Sequence, residues 1–295
     1  MFFVLSSGRS GSKTITYALD GYNNCECYHH PNPGLTVEAT QYYYGEYPEE
    51  KIAELLCTTR SGDSRDKIYG EVNLQLSLLI PVLEKVFPGC KYIWLLRDGR
   101  DVIASMFYRQ WYNPDDIKVP DEWKKGRLQG DRTGDFSPAE WGAMSRFDKC
   151  CWLWKKYNLI IESQMQKLDK ERWMRVKLDQ LKAMMPEIAQ FLGLKDDRKV
   201  LVERHNRAYQ PVVYWEDWDA DMRNSFEAIC GELMERWFPA WRDKDGTWQK
   251  IKPEVPDKVG FVLRLKRFLL DMPLKIRYKA GDIKKIILKK FKAPN

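Results

Sequence analysis

The chain has 295 residues, of which 44% are hydrophobic and 31% charged, and its formal net charge is +7. This length and balance predict a soluble globular protein with one large domain or two small ones. No stretch approaches the roughly 18 uncharged apolar residues of a membrane-spanning helix, and an apolar strand signal at residue 2 argues against a secretory leader.

The seven cysteines are an odd number at scattered spacings, which favours reduced thiols and a cytoplasmic location over a disulfide-built domain. Cys25 and Cys27, with His29 and His30 close behind them, are residue types that bind zinc. A second pair at zinc-finger spacing does not follow them, so we expect no metal.

The positive charge is concentrated in the last part of the chain. Residues 258–295 contain twelve Lys and Arg against Asp271 and Asp282, whereas the first 257 residues are slightly acidic overall. A basic tail of this kind weakens any interpretation of the globular part as a nucleic-acid binder. We therefore expect no nucleic-acid partner.

The first fourteen residues predict a phosphate-binding turn. An apolar strand signal at residues 2–5 is followed by the sequence SSGRSGSKT at residues 6–14 and then by apolar residues at helical spacing. A strand, a small-residue turn and a helix start direct backbone N–H groups and the positive end of the helix dipole at an anion. Arg9 and Lys13 add two charged donors, and the glycines allow close approach.

This turn is related to the nucleotide triphosphatase loop G-x-x-x-x-G-K-[ST] without matching it. Ser7 and Ser12 occupy the two glycine positions. Lys13 and Thr14 stand where that loop has its Lys and its Ser or Thr. A plainer interpretation stays open at this point, because serines that only cap a helix also follow strands in this way.

Further along, apolar runs typical of strands alternate with segments of helical periodicity. The predicted strands after the first lie at residues 25–29, 67–72, 91–96 and 173–176. The predicted helices lie at residues 49–57, 74–86, 102–107, 141–168, 186–194, 197–205 and 219–237, with two more in the tail. Residues 42–57 are interpreted as a peripheral insertion and residues 112–140 as a long irregular one.

Such alternation predicts an α/β fold in which a parallel β-sheet is flanked by helices. In these sheets ligands bind beyond the carboxyl ends of the strands. Arg9 and Lys13 follow the first predicted strand. Glu71 ends the third strand and Arg97 ends the fourth. We therefore expect these four side chains to meet at one edge of the sheet.

Arg97 is the second predicted anion-binding residue. It ends the clearest strand, and Ser105 lies eight positions later, about two turns into the next helix. A guanidinium is suited to phosphate, and a nearby hydroxyl completes such a site. An ordinary ion pair of Arg97 with Asp98 or Asp101 at a helix start is the competing interpretation.

Together, SGRSGSKT at residues 7–14 and RDGRDVIAS at residues 97–105 resemble the sulfotransferases that use 3′-phosphoadenosine 5′-phosphosulfate (PAPS), and bacterial members in particular. Weaker similarity extends the resemblance over residues 2–240. It implies a fold like that of the P-loop nucleotide triphosphatases, with a catalytic domain at residues 1–245. Residues 246–295 would then form a basic, helical C-terminal extension.

Residue roles follow from this resemblance. The first loop, with Arg9 at a position that carries Lys or Arg in the family, is expected to bind the 5′-phosphosulfate. Arg97 and Ser105 are expected to bind the 3′-phosphate, with PAPS as donor and 3′-phosphoadenosine 5′-phosphate (PAP) as product. Lys13 is also implied in catalysis, because cations stabilise the charge that develops during transfer. The implied donor-binding residues are Arg9, Ser10, Gly11, Ser12, Lys13, Thr14, Arg97 and Ser105.

Two residues compete as the general base that activates the acceptor. By the resemblance, Glu71 lies near the catalytic residue of other members, and His30 lies near a catalytic Glu of some bacterial members. The lysine that often accompanies the former Glu is replaced here by Val72. Structural interpretations stay open for both residues: Glu71 as the partner of an arginine, and His30 as a turn residue before Pro31.

The acceptor is left open between a carbohydrate, a lipid and another small molecule with a hydroxyl or an amine. Aromatic residues at 42–47 and 107–123 suit sugars and apolar alcohols alike. A P-loop kinase or nucleotide hydrolase is the alternative enzyme, for which Asp98 and Asp179 are the candidate magnesium ligands. A non-catalytic nucleotide-fold binding module is the alternative without activity.

The basic tail has two interpretations. Its apolar residues alternate with Lys and Arg, a pattern typical of amphipathic helices that lie on anionic membranes. The same apolar residues could pack on the catalytic domain instead. The first interpretation predicts a peripheral protein at the inner face of the membrane, and the oligomeric state stays open.

Overall fold

The computed structural model describes residues 1–60, 66–116, 119–195 and 214–250. They belong to a unit that spans Met1–Lys252. The helix predicted at 197–205 and the tail at 258–295 lie outside the described residues, as does nearly all of the predicted extension. Within the described ranges, no helix has the length and apolar character needed to cross a bilayer.

In the described residues, five strands form one parallel sheet, as the sequence predicts. Their order is β2-β3-β1-β4-β5, so the first strand is central. Each begins and ends within one residue of its predicted position. The strands are β1 (Phe2–Leu5), β2 (Cys25–His29), β3 (Ile68–Val72), β4 (Lys91–Leu96) and β5 (Trp173–Lys177).

Helices fill the connections between the strands. They are α1 (Ser12–Asp20), α2 (Thr36–Tyr43), α3 (Glu49–Arg60), α4 (Ile80–Val86), α5 (Gly99–Tyr108), α6 (Asp121–Lys125), α7 (Pro138–Ala143), α8 (Arg146–Met165), α9 (Leu181–Leu192) and α10 (Ala220–Trp237). Single 3₁₀ turns are Leu74–Leu78, Lys170–Arg172, Trp215–Asp217 and Pro239–Trp241.

Some helix boundaries differ from the prediction for local reasons. The helix predicted at 74–86 is divided into a 3₁₀ turn and α4, because the Asn73 side chain accepts the N–H of Gln75 and starts a separate turn. The helix predicted at 141–168 begins at Arg146, where Ser145 caps it. The insertion at 112–140 is not irregular throughout, since it contains α6 and the start of α7.

The sheet is buried on both faces, which explains why its strands are continuous apolar runs. One face packs against α8 and α10 and carries Phe3, Leu5, Tyr92, Trp94 and Leu96. The other face packs against α1 and α9 and carries Phe2, Val4, Ile93, Leu95 and Val176.

The topology places a crevice at the carboxyl end of β1. The connection from β1 runs through α1 to β2 on one side, whereas the chain after β3 passes to β4 on the other side of β1. Such a reversal of direction is where open α/β sheets bind ligands. Leu5 pairs with Trp94, so the end of β4 at Leu96 lies beside the turn that follows β1.

Candidate active site

The turn between β1 and α1 has the backbone shape of an anion-binding loop. Gly8, Arg9 and Gly11 adopt left-handed conformations with φ of 79°, 52° and 88°. Helix α1 begins after Gly11, and no side chain caps its first N–H groups. The turn therefore presents the uncapped N–H groups and the positive helix end that suit a phosphate.

Hydroxyl groups hold this turn in shape from inside. Ser10 is fully buried, and its Oγ donates to the carbonyl oxygen of Gly8 at 2.9 Å. The Oγ of Ser77 accepts from the Ser6 N–H at 3.2 Å and donates to the Ser6 carbonyl oxygen at 3.1 Å. The Ser10 side chain thus braces the turn, and only its backbone is left for an anion.

Arg9, Arg97 and Ser105 come together at the edge of the sheet. The Arg9 Nε donates to the Ser105 Oγ at 3.0 Å, and the Arg97 Nη1 donates to the carbonyl oxygen of Arg9 at 2.9 Å. The Nη2 of Arg97 also pairs with Asp101 at 2.9 Å. The competing interpretation of Arg97, an ion pair with Asp101, is therefore observed, whereas its binding of an anion stays a prediction.

This group of side chains, called here the arginine cluster (Arg9, Arg97 and Ser105), has an excess of positive charge. Burial, together with the positive charges of Arg109 and Arg97, lowers the pKa of Arg9 to about 10. The guanidinium is still protonated at neutral pH. Among the described residues, Asp101 is the one carboxylate that pairs with the cluster, so an oxyanion would be stabilised there.

The first turn of α1 adds three more of the predicted residues. Lys13 is exposed to solvent and Thr14 is half-buried. The Oγ of Ser12 forms a hydrogen bond of 2.9 Å with the Nε2 of His29, the last residue of β2. Ser12 is thus connected to the end of β2, a contact between distant parts of the chain that local patterns do not reveal.

His30 lies one residue beyond β2 in a strained backbone conformation. Its φ is 49°, and its N–H donates to the carbonyl oxygen of Val72 at 3.2 Å. Its ring lies 4.7 Å from that of His29 and 5.6 Å from that of Trp123, between centroids. Within the described part of the chain, its buried Nδ1 has no hydrogen-bond partner.

Burial and the neighbouring His29 lower the pKa of His30 to about 4. The pKa of His29 is also lowered, mainly by burial and secondly by the positive charge of Lys13. His30 is therefore neutral at pH 7. An unpartnered ring nitrogen on a neutral histidine is able to accept a proton from a hydroxyl group.

Glu71, the other candidate base, has a different environment. Its side chain is 0% exposed, and it accepts hydrogen bonds from Arg60, Tyr69 and Asn73. It pairs in register with Phe3 in the middle of β1, so it projects from the face of the sheet. The expectation that Glu71 meets Arg9 and Arg97 beyond the strand ends is therefore wrong, because Val72 ends the strand and Glu71 points to the α3 side.

The ion pair of Glu71 and Arg60 fixes the turn that follows His30. The Nη2 of Arg60 donates to the carbonyl oxygens of Pro31 and Pro33 at 3.3 and 2.6 Å. Asn73, which also binds Glu71, donates to the carbonyl oxygen of Gly34 at 3.1 Å. The buried pair therefore supports the backbone next to His30 and does not reach the crevice.

Asp98 is occupied in a similar way. It caps α5 through the Arg100 N–H at 2.9 Å, and its two carboxylate oxygens accept from the buried Arg100 guanidinium. Burial raises its pKa. Among the described residues, no group of three or more His, Cys, Asp or Glu is arranged to hold a metal ion.

No protein-family model matches this chain, and no curated protein matches it. It is similar to the sulfotransferase domain from the curacin biosynthetic pathway, with 16% identity over 90% of this chain and 97% of that one, at a TM-score of 0.47.

Two further solved structures are similar at the same level. A sulfotransferase from Alicyclobacillus acidocaldarius has 12% identity, covers 80% of this chain and 94% of its own, and has a TM-score of 0.49. The sulfotransferase domain of the Synechococcus PCC 7002 olefin synthase has 15% identity, covers 92% and 95%, and has a TM-score of 0.46. At these identities the likeness concerns the fold alone.

Proposed function

We propose that this chain is a sulfotransferase that transfers a sulfuryl group from PAPS to a hydroxyl group of an acceptor. The arginine cluster beside the left-handed turn is the observation that carries the proposal. Arg9 and Arg97 are 88 positions apart in the chain and are joined by a hydrogen bond of 2.9 Å. Two motifs that each suit an oxyanion thus form one continuous surface.

The residues fit a nucleotide that carries anions at both its 5′ and 3′ positions. Such a ligand needs two oxyanion sites within reach of a single ribose. The uncapped start of α1 supplies one site, and the arginine cluster supplies the other. Because the Arg9 guanidinium contacts Ser105, we assign its side chain to the 3′-phosphate, whereas the resemblance implies the 5′-phosphosulfate.

Lys13 and the N–H groups of the turn stabilise the negative charge that develops on oxygen during sulfuryl transfer. When bound, PAPS supplies an activated sulfuryl group with the 5′-phosphate of PAP as the leaving group. Lys13 lies in the first turn of α1, where its exposed ammonium is free to approach the reacting oxygens. Preorganised cations and N–H donors aimed at developing charge lower the barrier to transfer.

We assign the role of general base to His30. Its Nδ1 has no partner among the described residues, and its lowered pKa keeps it neutral at pH 7. Glu71 is assigned a positioning role, since it holds the turn after His30 through Arg60. The contact of His29 with Ser12 connects this histidine pair to the start of α1.

A kinase or nucleotide hydrolase is supported less well by the same residues. Phosphoryl transfer from a triphosphate uses a carboxylate to hold magnesium. The Asp98 oxygens are already bound by Arg100 and by the start of α5. Transfer from PAPS needs no carboxylate to hold magnesium. The positive charge of the arginine cluster would instead pair with the phosphate of such a donor.

The proposal is tested by ligand binding and then by transfer. Thermal shift and calorimetry with PAP are compared with ATP and magnesium; we expect PAP alone to raise the melting temperature and to bind. Transfer from ³⁵S-labelled PAPS to a panel of alcohols, sugars and amines then identifies the reaction. Binding of ATP with magnesium in preference to PAP would refute the assignment, and PAP binding without transfer to any acceptor would favour a non-catalytic module.

A further inference from the structure

The segment between α5 and α8 contacts the proposed active site at two points. Trp111, just after α5, lies over the turn: a Cβ added to Gly8 would be 3.5 Å from the Cη2 of Trp111. Trp123, in α6, lies against the ring of His30. One insertion therefore borders both the sulfuryl-binding turn and the proposed base.

The chain is strained to hold Trp111 in this place. Gln110 and Tyr112, on either side of it, have φ of 57° and 60°, in the left-handed region that is unfavourable for residues other than glycine. The Tyr112 hydroxyl donates to the carbonyl oxygen of Leu128. Such strain persists where surrounding contacts impose it, and it gathers at functional sites.

Arg127 stacks on Trp111. Its Cζ lies 4.6 Å from the centre of the same indole that borders Gly8. Among the described residues, it donates no side-chain hydrogen bond and forms no ion pair. It is half-buried, and burial lowers its pKa. Asp116 is close enough to oppose this shift, but it is not within ion-pair distance of the guanidinium. A partly desolvated guanidinium that lacks a directly paired carboxylate is favoured by the binding of an anion.

Gly126 fixes the position of this arginine. Its carbonyl oxygen accepts from Thr40 at 3.0 Å and from Gln75 at 3.1 Å. A Cβ at this position would lie 2.4 Å from the side chain of Thr36 and 2.7 Å from its carbonyl oxygen. The segment is therefore packed against α2 at the residue before Arg127, which restricts where the guanidinium can lie.

We propose that Arg127 binds an oxyanion of the acceptor, so that the acceptor is a hydroxyl compound that also carries a carboxylate, phosphate or sulfate group. This inference rests on the proposed function. The reacting hydroxyl would lie at His30, whose ring contacts Trp123, a residue that is 42% exposed and belongs to the same insertion as Arg127. The planar fork of Arg127 is suited to pairing with two oxygens of one oxyanion.

The test uses acceptor pairs in which one member carries a carboxylate and the other its neutral methyl ester. Hydroxybenzoic acids, ω-hydroxy fatty acids and methyl glucuronide are each compared with their methyl esters, in transfer from labelled PAPS and in calorimetry with PAP bound. We expect the wild type to favour at least one acid over its ester by about 10- to 100-fold. The variant Arg127→Met should lose this preference and keep its KM for PAPS.

Arg132 supplies a matched control within the same insertion. Its guanidinium also stacks on an aromatic ring, that of Tyr44 at 4.1 Å, but it is paired with Glu46. Arg132→Met should therefore keep the acid preference, and Arg127→Lys should retain part of it.

The outcomes separate this inference from the proposed function. PAP binding with no acid preference, or with an acid preference that Arg127→Met leaves unchanged, overturns the role of Arg127 alone. Binding of no acid and no ester by the PAP complex also overturns it. Failure of PAP to bind would instead refute the sulfotransferase assignment, and it is measured on the same samples before any acceptor is added.

Discussion

The Nη1 of Arg97 donates a hydrogen bond to the backbone carbonyl oxygen of Arg9 at 2.9 Å. This contact ties the end of β4 to the turn after β1, while the Nη2 of the same guanidinium pairs with Asp101. One side chain therefore has two functions, since it fixes the shape of the turn and contributes charge to the surface where an oxyanion would bind.

Substitution Arg97→Ala is expected to weaken PAP binding by about 10- to 100-fold, because a charged hydrogen-bonding partner is lost. Arg97→Lys should give an intermediate loss, since an ammonium keeps the charge but does not form the two-pronged contact. Isothermal titration calorimetry measures both. Unchanged affinity in Arg97→Ala would contradict the assignment of Arg97 to the 3′-phosphate.

The sheet could be predicted from the sequence because its signals are local. Each strand is a short apolar run between turn residues, and each lies within one residue of its predicted position. That Arg9 and Arg97 lie close together also follows from parallel strands whose carboxyl ends meet at one edge. The contact of Arg9 with Ser105 does not follow from the sequence, because the resemblance assigns these two residues to different phosphates.

The remaining parts of the site depend on contacts between distant residues. Whether Glu71 lies at the end of β3 or within it depends on the last residue of the strand, which local patterns do not fix to a single position. Its partner Arg60 lies at the end of α3, a helix interpreted as part of a peripheral insertion. Local periodicity likewise gives no signal for the contact of Ser12 with His29 or of Trp111 with Gly8.

Glu71→Gln is expected to destabilise the fold by about 3–5 kcal/mol, because it leaves the fully buried Arg60 without its counter-charge. Urea unfolding followed by tryptophan fluorescence measures this loss. The control is Glu216→Gln. Glu216 pairs with Lys250, which is mostly exposed, so the loss of this ion pair should cost less than about 1 kcal/mol. Wild-type stability in Glu71→Gln together with complete loss of transfer would make Glu71 the base.

Gly11→Ala is expected to reduce both stability and PAP affinity. Its φ of 88° is unfavourable for alanine, and the new Cβ would lie 2.5 Å from the Cδ1 of Leu178. Gly134→Ala is the control, since Gly134 has a similar φ of 75° with nothing within 4 Å of an added Cβ. Gly134→Ala should lose about 1–2 kcal/mol from backbone strain alone and bind PAP normally. Equal effects of the two variants would show that the contact with Leu178 is unimportant.

The pH dependence of transfer should reflect His30. Its pKa in the folded chain is about 4, lowered by burial and by His29. A neutral base is required, and this pKa belongs to the ligand-free chain, so kcat/KM should be lost as the pH falls through about 4 and stay constant from there to neutral pH. His30→Gln should abolish most of the turnover, and the activity that is left should no longer fall at low pH. If a weakly active His30→Gln variant still lost its activity at low pH, the base would be another residue.

The same shift predicts how stability changes with pH. Because the folded pKa of His30, about 4, is below the value of about 6.5 in the unfolded chain, the unfolded state binds more protons between these values. Stability should therefore fall as the pH is lowered from 6.5 to 4, by at most about 3 kcal/mol, and this contribution should be constant above 6.5. Urea midpoints at pH 4.5 and 7.5 measure it. The urea midpoints of His30→Gln should differ less between pH 4.5 and pH 7.5 than those of the wild type. Equal differences would show that another group binds the proton.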